Sequence, residues 1–385
     1  MSNWQKGGFG LYVHWPFCVS KCPYCDFNSH VVAQIDPNWQ VSRYLAALAQ
    51  YGRELPGRTL NSIFFGGGTP STMDPAAVGA IIDAAQRHWT FANDIEITLE
   101  ANPGSVDAAR FAGYAQAGVG RVSLGIQALN DTDLRRLGRT HDTREALRAL
   151  DIAQAQFDRV SFDLIYARQG QTLAAWEDEL ARALAFGTEH LSLYQLTIEP
   201  GTVFGKRAHA GQLRDLPDED LAADMFEATQ IMCDSNGLQA YEVSNHARTG
   251  AHSVHNMIYW QAGDYVGIGP GAHGRITLGH TRFATETPQQ PGAWAARTRN
   301  NGTGESLRAP LSLRDQAEEY LLMGLRTRRG VELDRLGVMG AKLEEASLQN
   351  LEALDLVERS DGHLRATAKG MPVLNAILRE LALTL

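Results

Sequence analysis

The sequence has few cysteines, no long apolar run and no excess of positive charge. Its 385 residues include Cys 4 times, too few for the disulfide framework that stabilises many secreted proteins. No stretch is long and apolar enough to cross a bilayer, and the first residues lack the apolar segment of a signal peptide. The formal net charge is -9, so the chain as a whole does not attract nucleic acid or an anionic membrane. We therefore expect a cytoplasmic protein with no integral membrane segment and no nucleic-acid partner.

Short apolar runs alternate with longer amphipathic stretches over the first two thirds of the chain. Strands that alternate with helices predict parallel βαβ units. The predicted units are too few for a complete eight-fold barrel, so a partial barrel and an open doubly wound sheet both fit the pattern. The predicted strands are Gly10–His14, Ser62–Phe65, Ile95–Glu100, Arg121–Ile126, Arg159–Ile165 and His190–Leu196.

The composition changes near residue 240, and we place a domain boundary there, so that residues 1–240 form the first domain. Residues 241–305 are rich in Gly, His, Asn and aromatics and are predicted to be a connecting segment. Residues 306–385 return to helical spacing, with a turn at Ser360–Gly362 before a short extended run. Helix, hairpin and helix predict a small winged-helix-like module. Because its composition is not notably basic, we favour packing or partner contact over DNA binding.

Most of the cysteines lie in one short segment, GLYVHWPFCVSKCPYCDFNSH, directly after the first predicted strand. Cys18, Cys22 and Cys25 form a CxxxCxxC pattern. Thiolates are the ligands of iron–sulfur clusters, and close spacing lets one loop surround a cluster. Three thiolates leave one iron of a 4Fe–4S cluster open, which chemistry at that iron requires. Structural zinc completed by His14 or His30 is the alternative, although such sites use four ligands in paired short spacings.

Two other features have simpler explanations than a site. Cys233 lies in the helical run MFEATQIMCDSNG beside apolar neighbours, which predicts a buried core cysteine. The segment Gly267–Gly274 contains the GxGxxG spacing of a dinucleotide-binding loop. That loop requires a following helix to hold the pyrophosphate, whereas the residues after it look extended. We therefore interpret the segment as a turn.

The cysteine pattern resembles the signature of the radical S-adenosylmethionine (SAM) enzymes, in which an aromatic residue, here Tyr24, precedes the last cysteine. In that family the amino and carboxylate groups of SAM chelate the open iron. An electron from the cluster then cleaves the sulfonium to a 5′-deoxyadenosyl radical. The resemblance implies a 4Fe–4S cluster on Cys18, Cys22 and Cys25, with SAM as a second cofactor.

Glycine and polar residues follow the later predicted strands, where sites form in barrels and open sheets. A tight turn or a helix cap would explain any one of them alone. Their order and spacing resemble the SAM contacts of the coproporphyrinogen dehydrogenase (HemN-like) branch, including its GGGTP motif, over most of the chain. We accordingly predict an α/β fold, a partial (β/α)6 TIM-like barrel with a smaller C-terminal α+β (winged-helix-like) domain. The resemblance implies cofactor contacts at Tyr12, Tyr24, Gly67, Gly68, Thr69, Glu100, Gln127, Arg139 and Asp163.

The residues after the last clustered cysteine separate two branches of this family. The coproporphyrinogen dehydrogenases carry CxxxCxxCxC, whereas Phe27 stands here at the position of the fourth cysteine. The CDFNSH ending instead resembles the HemW-type heme chaperones. That resemblance implies heme as a ligand and a heme-acceptor protein as a partner, with a respiratory hemoprotein among the candidates. The alternatives are an oxygen-independent coproporphyrinogen III dehydrogenase, which is a radical decarboxylase, and a radical enzyme with another substrate.

The motif HNMIYW begins at His255. Histidine is a natural axial ligand of heme iron, and nearby aromatic rings can pack on a porphyrin. From the residues alone, a structural histidine beside a core aromatic pair is the simpler explanation. The motif resembles the HNxxYW motif associated with heme in the HemW group, which implies His255 as a heme-binding residue. The alternatives nearby are His246, His252 and His273.

Overall fold

The computed structural model describes residues 3–382, whose strands form one large sheet and two small ones. The large sheet has 12 strands and includes every strand that the sequence predicts. In chain order the strands are β1 (Phe9–Trp15), β2 (Phe17–Cys18), β3 (His30–Val31), β4 (Thr59–Gly67), β5 (Thr90–Ala101), β6 (Arg121–Gln127), β7 (Arg159–Tyr166), β8 (His190–Gln195), β9 (Gln239–Ala240), β10 (Asn245–Ala247), β11 (Asp264–Ile268), β12 (His273–Leu278), β13 (Thr281–Glu286), β14 (Leu307–Pro310), β15 (Val331–Glu332), β16 (Val357–Ser360) and β17 (His363–Ala366).

The large sheet has the order β14-β13-β12-β11-β1-β4-β5-β6-β7-β8-β10-β9. From β11 to β8 all neighbours are parallel, and the outer strands are antiparallel. Among the described strands β14 and β9 end the sheet, so the barrel is partial, as predicted. Strands from residues 241–305, predicted to be a connection, pair at both sides of the predicted strands. The division at residues 240 and 305 stays a prediction.

Helices cross over between the parallel strands and cover the outer face of the sheet. Their starts follow from local capping. For example, Asp142 and Glu145 form a reciprocal capping box at the first turn of the helix Thr143–Gln156. In chain order the helices are α1 (Val41–Glu54), α2 (Pro75–His88), α3 (Ala108–Gln116), α4 (Asp131–Arg136), α5 (Thr143–Gln156), α6 (Leu173–Ala185), α7 (Val203–His209), α8 (Glu219–Ser235), α9 (Val254–Trp260), α10 (Pro291–Asn301), α11 (Leu313–Gly324), α12 (Leu333–Val338), α13 (Glu345–Ala353) and α14 (Leu374–Ala382).

The two faces of the parallel strands differ in polarity, because successive side chains point to opposite sides. On the outer face, residues such as Leu11 and Val13 pack against the helices in the main hydrophobic core. The inner face is polar yet buried, and the strand register aligns its side chains across the sheet. A buried polar face requires that the sheet curves around its own interior. Examples on this face are Ser62, Glu96, Arg121, Ser161 and His190.

The C-terminal residues form a separate hydrophobic cluster around α11–α14 and the small sheet β15-β17-β16. The hairpin β16–β17 turns at Asp361 and Gly362, whose φ angles of 53° and 74° lie in the left-handed region. Arg335 of this module donates to the carbonyl oxygens of Gln261, at 2.6 Å, and Ala262, at 3.2 Å. The module therefore has the predicted winged-helix-like content and is joined to the end of α9.

Both of the simpler explanations given above are confirmed. Cys233 is fully buried on α8 within the main core. The glycine-rich segment after β11 leads into the strand β12, so it lacks the helix that a pyrophosphate site needs.

Candidate cluster and cofactor site

The three clustered cysteines lie on the loop after β1, at the carboxyl edge of the parallel strands. Cys18 ends β2, which pairs with β3 and so fixes both ends of the loop. The amide of Cys25 donates to the carbonyl oxygen of Cys22 at 3.1 Å, and this turn brings the second and third cysteines together. All three are free thiols. We name residues 16–31 the cluster loop.

Hydrogen-bond donors from other elements point at the sulfurs of the cluster loop. The Thr69 hydroxyl donates to the Sγ of Cys18 at 3.4 Å, and Arg139 Nη1 donates to the Sγ of Cys22 at 3.3 Å. Burial raises the pKa of the Cys18 and Cys25 thiols, so a bound metal has to displace their protons. A cationic and a neutral donor beside the sulfurs stabilise negative charge, which suits a thiolate-bound iron–sulfur cluster.

The histidines that would complete a zinc site are engaged elsewhere. His14 has ring nitrogens within hydrogen-bonding distance of the Tyr12 hydroxyl, at 3.1 Å, and the Asn28 carbonyl oxygen, at 2.8 Å. Burial lowers the pKa of His14 to about 4. The Nε2 of His30 faces the Gln289 carbonyl oxygen at 3.1 Å. Across residues 3–382, no three Asp, Glu, His or Cys side chains converge as ligands of a single metal ion.

A cavity of about 360 Å³ opens beside the cluster loop, at the carboxyl ends of β4 to β8. Glycine, carboxyl, amide and guanidinium groups from successive strands face it together. All of the predicted site residues except Tyr12 and His255 line this cavity. The lining set is Cys18, Cys22, Tyr24, Cys25, Gly67, Gly68, Thr69, Glu100, Gln127, Arg139 and Asp163.

Gly67 ends β4 and Gly68 follows it, and they lie very close to β1 and to the cluster loop, respectively. Gly67 has a φ of +110°, and a Cβ there would lie 2.6 Å from the His14 ring. A Cβ on Gly68 would lie 2.6 Å from the carbonyl oxygen of Phe17. The close contact between chain segments therefore requires glycine at both positions. The absence of a side chain also leaves the backbone of both residues open to the cavity.

Two buried carboxyl groups face the same cavity. Burial, with the nearby Asp163, raises the pKa of Glu100 to about 8. Burial raises the pKa of Asp163 to about 6. A hydrogen bond from the Ser123 hydroxyl, at 3.3 Å, acts in the opposite direction and lowers this pKa. Glu100 also accepts a hydrogen bond from the Gly67 amide at 3.3 Å. Two neighbouring carboxyl groups with raised pKa values are stabilised as carboxylates when a cation binds beside them, and the sulfonium of SAM supplies such a charge.

The end of β6 departs from regular strand geometry. Its pairing with β7 is irregular between Leu124 and Gln127, and Gln127 has a φ of 76°. Arg139, which follows α4, donates through Nη2 to the Gly125 carbonyl oxygen at 2.7 Å. This bond fixes the guanidinium between the strand end and Cys22. The irregular strand end and Arg139 together form one wall of the cavity.

Tyr12 and His255 lie inside the barrel and do not line the cavity. His255 is 1% exposed, and its ring nitrogens lie 2.7 Å from the Ser62 hydroxyl and 2.6 Å from the Tyr259 hydroxyl. Its ring stacks on Phe64 with centroids 5.0 Å apart, and the Tyr12 ring centroid is 6.2 Å away. Burial lowers the pKa of His255 to about 3. This is the arrangement of a structural histidine, and heme ligation by His255 stays a prediction.

The alternative histidines differ in accessibility. His246 is buried, with its Nε2 3.3 Å from the side-chain amide of Gln230. His252 is exposed and stacks on the Tyr241 ring, with centroids 4.5 Å apart. His273 is also exposed, and its Nδ1 lies 3.8 Å from a carboxylate oxygen of a glutamate on β13.

Several residues that line the cavity were not predicted from the sequence. Tyr194 is the clearest, since it stands near the end of a correctly predicted strand, where the same rule selected Gln127. Lys21 and Phe27 lie on the cluster loop and also face the cavity. Tyr194 is far from the cysteines in sequence, and Lys21 lies between two of them without a role in the pattern. Phe27 was noted only as the residue at the position of a fourth cysteine, not as a residue of the cavity.

Comparisons with known proteins agree with this geometry. The Radical SAM superfamily matches residues 12–183, and the HemN C-terminal domain matches residues 311–373. The heme chaperone HemW of Escherichia coli is 42% identical over 72% of this chain and 72% of its own, and that of Mycobacterium tuberculosis is 33% identical over 97% and 94%. The mitochondrial radical S-adenosyl methionine domain-containing protein 1 of Bos taurus is 41% identical over 96% of this chain and 86% of its own.

A solved structure supports the fold along nearly all of the chain. Coproporphyrinogen III oxidase (HemN) from Escherichia coli matches with a TM-score of 0.81 at 20% identity, covering 98% of this chain and 91% of that one. The fold and the three-cysteine cavity define a radical SAM protein. Within that class the chain belongs to the family that includes the HemW proteins and the radical S-adenosyl methionine domain-containing protein 1.

Proposed function

We propose that this protein binds heme and transfers it to an acceptor protein, and that it carries a 4Fe–4S cluster and SAM. The observation that carries the proposal is the relation to heme chaperones named HemW, which extends over 97% of the chain in one case. Phe27 agrees with it, because a phenylalanine occupies the position of the fourth cysteine of the dehydrogenases. The acceptor is a hemoprotein, and a respiratory hemoprotein is our candidate.

In this proposal, Cys18, Cys22 and Cys25 hold the cluster, and the cavity beside them holds SAM. The cluster supplies a one-electron reductant and an open iron when it is bound. Glu100 and Asp163 provide negative charge for the SAM cation, and Gln127 and the glycines of β4 line the remaining surface. Arg139 and Thr69 stabilise the cluster by donating to its cysteine sulfurs.

Heme titration of purified protein tests the proposal. We expect the Soret band to shift with hemin and to saturate at about one heme per chain, as for a single specific pocket. Mixing the loaded protein with a heme-free b-type cytochrome should move the heme to that acceptor. Titration without saturation, or loaded protein that retains its heme beside an excess of acceptor, would contradict the proposal.

The second candidate is an oxygen-independent coproporphyrinogen III dehydrogenase. It is favoured by the HemN-like fold, which extends over 98% of the chain, and by the complete cavity. An anaerobic assay with reductant, SAM and coproporphyrinogen III separates the two functions. We expect no decarboxylation by the wild type. The variant Phe27→Cys, which restores the CxxxCxxCxC pattern of the dehydrogenases, is assayed in parallel. Repeated turnover by the wild type would favour the dehydrogenase.

The helices and the relatives bear on the place of the protein in the cell. No helix between residues 3 and 382 combines the length and the apolar character needed to cross a membrane. The relatives include bacterial HemW proteins and proteins named as mitochondrial. We propose a cytoplasmic location, as expected from the sequence. Fractionation of cells that express the tagged protein tests this proposal.

A further inference from the structure

Exposed aromatic side chains are rare in residues 4–382 and gather at one place. Phe27 is 58% exposed and Tyr194 is 42% exposed, whereas every other Phe, Tyr and Trp side chain in that range is buried or half-buried. Both line the cavity beside the cysteines. Phe27 belongs to the cluster loop and Tyr194 to the end of β8, so exposed rings approach this cavity from separate elements.

The orientation of Tyr194 follows from the strand. His190 and Ser192 alternate with leucines on β8 and are buried in the barrel interior. Tyr194 is the next residue on that inner face, at the level where the interior opens into the cavity. The phenol of a tyrosine has an ordinary pKa of about 10, so this ring is neutral at physiological pH. A neutral, accessible ring is therefore held at the wall of the cavity.

Further exposed apolar side chains lie on the cluster loop and on the helix bonded to it. Val19, beside Cys18, is 69% exposed, and Val203 at the start of α7 is 48% exposed. α7 is tied to the loop because the amide of Phe204 donates to the Pro23 carbonyl oxygen at 2.8 Å. Exposed apolar side chains on a loop and on a helix bonded to it are typical of a binding surface.

A cation completes the pattern. Lys21 lines the same cavity, and its Nζ donates to the Phe27 carbonyl oxygen at 3.1 Å. The ammonium is thereby held at the backbone of Phe27, on the same loop as the exposed ring. A flat apolar macrocycle with carboxylates on its edge matches this combination, because the rings can pack on its face while the ammonium pairs with a carboxylate.

We propose that heme docks over the mouth of this cavity, with its macrocycle against Phe27 and Tyr194 and a propionate near Lys21. The inference rests on the proposed function and adds the place of binding, which is distinct from the buried His255. The space beneath the heme is the cavity proposed for SAM. Heme bound at the mouth therefore covers SAM and slows its release.

Hemin titration of single variants with a reconstituted cluster tests this placement. We expect Phe27→Ala and Tyr194→Ala each to weaken heme binding about tenfold, since each removes a stacking surface. Ile231→Ala is the matched control, because Ile231 is 59% exposed on α8 and does not line the cavity. Circular dichroism and iron content verify that each variant is folded and loaded. In wild type, bound heme should slow the dissociation of radiolabelled SAM about tenfold or more, as a covering ligand does.

The placement is overturned if both aromatic variants bind hemin within about twofold of the wild type, which is the usual effect of a surface substitution. It is also overturned if those variants keep wild-type affinity but transfer heme more slowly to a heme-free cytochrome, since the rings then contact the acceptor protein. Unchanged SAM dissociation in the presence of heme contradicts the covering geometry. A wild type that binds no heme contradicts the proposed function itself and removes this placement with it, whereas the other results leave the proposed function standing.

Discussion

At the scale of single residues, the cysteine sulfurs depend on donors from distant parts of the chain. Arg139 reaches Cys22 at 3.3 Å and Thr69 reaches Cys18 at 3.4 Å. The sequence identified the cysteines by spacing alone, because ligands on one loop are close in sequence. Arg139 and Thr69 were predicted only from the family resemblance, and they were predicted to contact SAM. Their hydrogen bonds to sulfur arise from the fold, so no local pattern could reveal them.

Replacing Arg139 should make the cluster harder to reduce. Arg139→Gln removes a positive charge beside a cysteine sulfur, and reduction adds negative charge to the cluster. We expect the reduction potential to fall by about 60 mV, equivalent to a tenfold change for one electron. Potentiometric titration followed by electron paramagnetic resonance measures this. Arg135→Gln, at an exposed arginine of α4, should leave the potential unchanged, and an equal shift in both variants would exclude a specific role for Arg139.

The pH dependence of SAM binding should reflect the raised pKa values of Glu100 and Asp163, about 8 and about 6. Both groups are protonated below their pKa in the folded protein, and a cation binds the ionised forms. Affinity should therefore rise as the pH increases from 6 to 8, with release of protons on binding. Calorimetry in buffers of different ionisation enthalpy detects that release. Glu100→Gln should bind more weakly and lose most of the dependence above pH 7, whereas an unchanged profile would show that Glu100 does not titrate on binding.

At the scale of elements, the strands were predictable and the interior of the barrel was not. Each predicted strand is present because apolar runs on the outer face alternate with helices. β11 was missed because its short run lies among turn residues, and only pairing with β1 makes it a strand. The position of α9 depends on Glu96, whose carboxylate accepts from the Ser253 hydroxyl and the His255 amide and pairs with Arg159. These contacts join β5, β7 and α9, which are far apart in the sequence. The spacing of residues along the chain therefore does not predict them.

His255→Ala should destabilise the protein whether or not heme is present. The change removes a stacked ring and leaves the buried hydroxyls of Ser62 and Tyr259 without their partner. We expect a loss of about 3 kcal/mol in the free energy of unfolding, as for other broken buried networks. Thermal and urea unfolding of the apoprotein measure it. His252→Ala is the control, because His252 is exposed and should change stability by less than about 0.5 kcal/mol.

An apoprotein of His255→Ala as stable as the wild type would contradict the structural role of this histidine. Loss of heme binding in that variant identifies an iron ligand only if the melting temperature is preserved.

At the scale of the whole molecule, the C-terminal module is held against the barrel by buried polar contacts. Arg335 is 4% exposed, donates to the backbone of Gln261 and Ala262, and lies over the Tyr320 ring at 4.4 Å. The sequence predicted a winged-helix-like module, since helix and hairpin patterns are local. It did not predict this docking, because a buried arginine cannot be distinguished from a surface one by composition.

Arg335→Ala should loosen the module and lower the melting temperature. The variant removes the Arg335 donor from the Gln261 carbonyl oxygen and one of two donors from the Ala262 carbonyl oxygen, which Arg282 Nη1 still reaches at 2.7 Å, a loss of about 2 kcal/mol. Lys6→Ala is the comparison, because the Lys6–Glu332 pair at 2.7 Å joins the same parts at an exposed site and should contribute no more than about 0.5 kcal/mol. Calorimetric scans compare the two. Equal effects would mean that the interface does not depend on its buried contacts.

The most direct test of the account measures heme binding and porphyrinogen chemistry on one anaerobic preparation with a full cluster. We predict saturable binding of about one hemin per chain, transfer of that heme to a heme-free cytochrome, and no decarboxylation of coproporphyrinogen III with SAM and reductant present. Decarboxylation with repeated turnover, together with no saturable heme binding, would contradict the account.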